Sequence, residues 1–335
     1  MTASLPHHTP ASPDDGHFHD LDGVRGVLAI VVMLYHYGLN SVLGAVIGIN
    51  TVVFDVCVDF FFILSGLVIA RSVLRRDINV RGFIARRFCR LFPLHIAILV
   101  VFAPVLFFGM DLGAVEFVLE ITAFAPLVLR ELQNFPAWSL GFEFYGPILF
   151  VALLALKRPT RRQTLALGAA LFVLSAIALQ QTLTRQDSVF GPYLDYVRAF
   201  SGLGLGFILS LLFQDGCRPL SDLTNRIVFP LTIGAFFIVT IFSAVVPMLA
   251  WTMPIVLILA MATGMGSRTL FASRLFRFLG SLSFGIYMVH IPILFLFLRL
   301  FGEEAQSGNL ALKAAMIGCC FVAAYVLHWL VERPG

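Results

Sequence analysis

Residues 21–36 read LDGVRGVLAIVVMLYH. An acid and an arginine open the stretch, an apolar run follows, and it continues to about residue 47. A helix needs roughly 20 apolar residues at about 1.5 Å rise each to cover a hydrocarbon core of about 30 Å. This stretch is long enough, and the chain offers more like it. Further apolar runs occupy residues 52–71, 93–110, 138–156, 164–181, 197–214, 227–247, 249–266, 278–299 and 310–331. The expectation is an all-α polytopic membrane bundle of about ten transmembrane helices, with residues 1–20 a disordered cytoplasmic tail and 21–335 the transmembrane domain.

Composition points the same way. The 335 residues are 59% hydrophobic and 13% charged, with a mean hydropathy of +0.93. A water-soluble domain carries about twice that charged fraction. The net charge of +4 is too small for a nucleic-acid partner. The five cysteines lie mostly within or beside apolar segments without metal-ligand spacing and read as packing residues. The first 20 residues have no basic region leading into a cleavable apolar run, so they are not a signal peptide.

Positive charge sets the sidedness. Arg71, Arg75, Arg76, Arg81, Arg86, Arg87 and Arg90 face one acid, Asp77, between the second and third spans, which places that loop in the cytoplasm. Counting outward, Lys157, Arg158, Arg161 and Arg162 fall inside, as do Arg268, Arg274 and Arg277. The outside loops hold Glu116, Glu120, Glu303 and Glu304. Both termini are predicted cytoplasmic. The segment 111–137, interrupted by Pro126 and Pro136, is expected to cap the outer face or dip back under cover of protein or water.

Several ionisable residues fall at membrane depth, where they are costly and usually face a bundle interior or wet cavity. His36 follows Arg25 by eleven residues. The two are therefore about 16 Å apart along the axis and only about 20° apart in bearing. Asp59, in VDFFFILSG at 58–66, reaches the depth of His36, where a carboxylate fixes an imidazole tautomer and raises its basicity. The pair can equally be a helix lock. Ser65 and Gly66 permit close helix contact.

In RGFIARRFCRLFP at 81–93, Arg86, Arg87 and Arg90 have the helical spacing and forked guanidiniums to clamp phosphates, or serve only to hold orientation. WSLGFEFYGP at 138–147 puts Trp138 at the outer interface and Glu143 about two turns into the membrane. Trp138 can be a belt aromatic, but Glu143 must be protonated, paired or solvated. Ser283, Tyr287 and His290, in LGSLSFGIYMVHIP at 279–292, share one face, either for chemistry or as interhelical hydrogen bonds. His95 and His328 fall near predicted cytoplasmic ends and read as structural.

LDGVRGVLAIVVMLYH, VDFFFILSG, FIARRFCRLFP, WSLGFEFY and LGSLSFGIYMVH, in that order between residues 20 and 332, resemble the segments of the acyltransferase 3 family. The resemblance implies a ten-helix bacterial inner-membrane enzyme. Such an enzyme takes an acyl group, expected to be acetyl, from cytoplasmic acyl-CoA and modifies a hydroxyl on the far side. For Arg25 and His36 it implies the paired arginine and catalytic histidine of the first helix. Asp59, Arg86, Arg90, Trp138 and Glu143 match its other functional positions. Phe144, Phe284 and His95 depart from residues common in the family. No appended esterase-like domain is expected after Gly335.

On this reading Arg86, Arg87 and Arg90 hold the phosphates of acyl-CoA, and His36, oriented by Asp59, deprotonates the acceptor or carries the acyl group itself. Arg25 and Glu143 complete the catalytic set, and Trp138, Tyr287 and His290 line the acceptor side. The expected partners are membrane lipid and a carbohydrate or other hydroxyl acceptor, with no metal. A proton-coupled secondary transporter is the rival, since a mid-membrane His, Asp and Glu can relay protons. Transporters often carry internal repeats, and no second copy of LDGVRG or VDFFFILSG occurs in the C-terminal half.

Overall fold

A computed structural model describes residues 19–39, 56–74, 79–108, 113–128, 132–156, 159–184, 191–212, 231, 234–235, 271, 273–305 and 309–333. All regular structure among them is helical. The long helices are α1 (His19–His36), α2 (Val56–Leu74), α3 (Val80–Val101), α5 (Ala137–Leu156), α6 (Arg161–Thr184), α7 (Gly191–Leu212), α8 (Arg274–Phe301) and α9 (Leu310–Leu327), with the short α4 (Ala114–Ile121) between α3 and α5. Each expected span has its helix except 227–247 and 249–266, which lie outside the described residues apart from three isolated positions. Of the expected tail, only its last two residues are described, and they already belong to α1. By length and composition, Ala137–Leu156, Arg274–Ala305 and Leu310–Glu332 suffice to cross a membrane.

One boundary differs in a way that matters. α3 begins at Val80, thirteen residues before the expected span, because the Asn79 side chain caps it by accepting from the Gly82 N–H at 3.0 Å. The arginines of 81–90 therefore sit on its first turns. His95 lies four turns in rather than near an end, fully buried, with Nε2 2.8 Å from the Glu120 carbonyl of α4.

Two tight crossings organise the bundle. In one, α1 lies on α8. A Cβ on Gly26 would strike the backbone of Leu279 and Gly280, and one on Gly280 would strike the Asp22 carbonyl. In the other, α2 lies on α7, where Gly66 meets the Leu203 carbonyl and Gly206 meets the Ile63 carbonyl. Gly202 and Gly206 form a small-xxx-small face of the kind that lets helix backbones touch. α3 and α5 bridge the two halves. Apolar side chains on α6, among them Leu165, Val173 and Ile177, point outward.

Residues 113–128 and 132–136 form a strap across the bundle. It runs through α4, a 3-10 turn at Ala125–Val128 and a turn into α5. The Glu120 carboxylate closes it by accepting the Gln133 N–H at 2.8 Å. His95 fastens it to α3, and Tyr145 fastens it to α5 by donating to the Thr122 carbonyl at 3.1 Å.

Candidate active site

His36 occupies the last turn of α1 and faces His290 of α8, with ring centroids 4.9 Å apart. His290 Nδ1 is 2.7 Å from the Tyr287 carbonyl, which fixes the proton on that nitrogen and leaves Nε2 as an acceptor. His36 Nδ1 lies 2.9 Å from the Val32 carbonyl and 3.3 Å from His290 Nε2, so its N–H is shared between two acceptors. This network assigns the His36 lone pair to Nε2, the nitrogen a general base uses. The pair is braced from behind. Tyr37 donates its hydroxyl to the His290 carbonyl at 3.1 Å, and Lys313, 1% exposed, donates to the Tyr37 carbonyl at 2.6 Å, setting a cation at the end of α1.

The neighbour of His36 is therefore His290, where Asp59 was expected. Asp59, 1% exposed, is held by Arg198 of α7, whose Nε and Nη2 donate to its two oxygens at 3.1 and 2.9 Å. A forked guanidinium matches both lone-pair directions of a carboxylate, and burial makes that match decisive. Arg198 also donates to Asp195 at 2.9 Å. Sequence reasoning missed Arg198 because it sits at the edge of an apolar run and reads as an end residue. An arginine one turn after Asp195 and followed by an uninterrupted apolar stretch was the available signal.

A cavity of about 1170 Å³ opens beside this centre and is lined by Arg25, Arg86, Arg87, Arg90, Glu143 and Tyr287, among others. Its wall includes Phe61 and Tyr287, whose rings are 6.1 Å apart. Tyr287 lies 5.8 Å from His290. The cavity thus reaches the histidine pair through Tyr287 and is not lined by His36 itself. Ser283 and Tyr287 of the expected α8 face line it, while His290 is buried behind. Arg25 stays near Asp22, 3.8 Å away.

The three arginines of α3 divide. Arg86 and Arg90 are exposed into the cavity, whereas Arg87 is buried and engaged. α5 carries Pro147 four residues after Glu143, and proline has no N–H to give that carbonyl. Arg87 Nε takes the orphan at 2.5 Å, and its Nη2 lies 4.0 Å from the Glu143 carboxylate. Arg87 thus braces Glu143 from the cavity wall, while its Nη2 is buried without a hydrogen-bond partner. Glu143, expected in the outer half, shares the cavity of the arginines because α3 starts early enough to bring Arg87 beside it. A proline at i+4 from a candidate residue was the sequence signal. Trp138 does not line the cavity. It packs on Phe62 and Phe142, at 5.6 and 5.9 Å, and so backs the wall that Phe62 forms.

Residues 18–331 match the family model described as an acyltransferase domain, which puts the chain in the class of enzymes that transfer acyl groups. It belongs to the acyltransferase 3 family. Among characterised relatives it is 26% identical to acyltransferase MdmB of Streptomyces mycarofaciens, over 94% of this chain and 90% of that protein. It is also 26% identical to the peptidoglycan O-acetyltransferase OatA of Listeria monocytogenes, over 94% of this chain and 55% of OatA. No solved structure matches the chain.

Proposed function

We propose that the protein is a multi-pass membrane O-acyltransferase of the bacterial inner membrane. It takes an acyl group, expected to be acetyl, from cytoplasmic acyl-CoA. The acceptor is a hydroxyl of a glycan, glycolipid or related molecule on the extracytoplasmic side. The observation that carries this reading is a basic cavity lined by Tyr287, whose ring lies 5.8 Å from that of His290, the partner of His36. Membership of an acyltransferase family and similarity to a peptidoglycan O-acetyltransferase support it.

Arg86 and Arg90 hold the phosphates of the donor, and the pantetheine arm runs along the cavity toward Tyr287. His36 Nε2 removes the proton of the acceptor hydroxyl as its oxygen attacks the thioester carbonyl. The carbon–sulfur bond breaks, and the departing thiolate recovers the proton from His36. His290 accepts the His36 Nδ1–H and holds the ring in the basic tautomer, the orienting part a carboxylate plays in other triads. Arg25 and Glu143, the latter braced by Arg87, set the polarity of the cavity. Asp59 acts at a distance, locking α2 to α7 through Arg198.

The test is acyl transfer by membranes supplied with labelled acyl-CoA, with products identified by mass spectrometry against cells lacking the protein. His36→Ala should lower transfer by at least about a hundredfold, the scale of removing a general base. Undiminished transfer by that variant would overturn the reading.

A further inference from the structure

α8 carries Pro292 in its interior, two residues beyond His290. Proline lacks the N–H that would close the helical bond to the carbonyl four residues back, so Met288 loses its donor. In an apolar interior such an orphan is costly and has to find another partner. Asn134 supplies it, for its side-chain amide, 0% exposed, donates to the Met288 carbonyl at 3.1 Å. Met288 is two residues before His290 and next to Tyr287, whose carbonyl fixes the His290 proton.

The donor is itself preset. Asn134 closes the strap, and the neighbouring Gln133 N–H is held by the Glu120 carboxylate at 2.8 Å. His95 and Tyr145 tie the same strap to α3 and α5. The amide therefore arrives from a segment tied down at three points, and the turn of α8 that contains Met288 is fastened to it.

We infer that Asn134 is a positioning residue of the acyl-transfer centre: it satisfies the carbonyl that Pro292 orphans, and so holds the turn of α8 that carries His290 against His36. The inference rests on the proposed acyltransferase reading. It deepens that reading by giving the strap a task that neither composition nor family membership assigns. Its signature is a dependence on proline, because an alanine at 292 restores the missing N–H and leaves Asn134 with nothing to satisfy.

The experiment is a double-mutant cycle on the full-length protein in lipid nanodiscs with acyl-CoA as donor. Asn134→Ala and Asn134→Leu should each lower kcat by about tenfold or more while leaving KM for the donor unchanged, as small misplacements of catalytic groups do. In the Pro292→Ala background the same replacements should change kcat by less than about twofold. Equal losses in both backgrounds, or none in either, overturn the inference.

A second measurement does not depend on turnover. Spin labels at exposed Leu275 and Leu300, on either side of Pro292, lie about 38 Å apart along a straight axis. Asn134→Ala should broaden their distance distribution, because the proline site loses its anchor, and an unchanged distribution overturns the inference. A wild-type protein without transfer activity sinks the functional reading alone, since the spin-label distances still decide the role of Asn134.

Discussion

Asp59 and Arg198 show how a single side chain changes meaning with its partner. A carboxylate level with His36 invites a catalytic triad, yet both of its oxygens are occupied by a guanidinium that is itself 4% exposed. Removing Arg198 takes the counter-charge from the buried Asp59 carboxylate, whereas removing Asp59 leaves Arg198 still paired with Asp195. Arg198→Met should therefore cost about 3–5 kcal/mol of stability, and Asp59→Leu less. The double replacement should recover most of that loss, since apolar residues of similar volume often match a buried ion pair. Thermal unfolding in detergent with parallel transfer assays checks both halves. A double variant that is stable but inactive would return Asp59 to the chemistry. That Asp59 and His36 lie on helices was legible from the apolar runs, but their partners were not, because spacing along one helix says nothing of which neighbour faces it.

At the scale of elements, the helices follow from apolar runs and their caps, and what the runs hide is how breaks in their backbone bonding are filled. Pro147 and Pro292 each leave a carbonyl without its donor, and Arg87 and Asn134 fill the vacancies from other segments. Those contacts depend on tertiary packing, so no periodicity reveals them, although the prolines mark where to look. The strap shows a related strain. α4 ends in a Schellman motif, with Phe124 N–H bonded to Leu119 and Ala123 N–H to Glu120, at 3.1 and 3.2 Å. Its left-handed position is filled by Ala123, at φ 49°, where glycine is usual. Ala123→Gly should stabilise the protein by about 1 kcal/mol, the typical cost of a non-glycine residue in that region. A melting temperature unchanged or lowered in detergent would show that packing of the Ala123 methyl outweighs backbone strain.

Across the whole molecule, the early start of α3 turns what looked like a cytoplasmic arginine loop into one wall of a cavity. That change separates arginines the sequence left equivalent. Arg86 and Arg90 are exposed on the cavity wall, while Arg87 is buried in it with its Nε bonded to the Glu143 carbonyl. If donor phosphates lie on the first two, Arg86→Ala and Arg90→Ala should each raise KM for acyl-CoA by about tenfold or more, the worth of a charge-assisted contact, with kcat little changed. The same variants should match the wild type when the donor is an S-acyl-pantetheine, which lacks the phosphates they would hold. Arg87→Lys should behave in the opposite way. A lysine has no planar fork to reach both the Glu143 carbonyl and its carboxylate, so kcat should fall about equally for both donors and KM should hold. Steady-state kinetics with the two donors separates these outcomes. A KM effect of Arg86→Ala that persists with S-acyl-pantetheine would mean that this arginine shapes the cavity without holding phosphate.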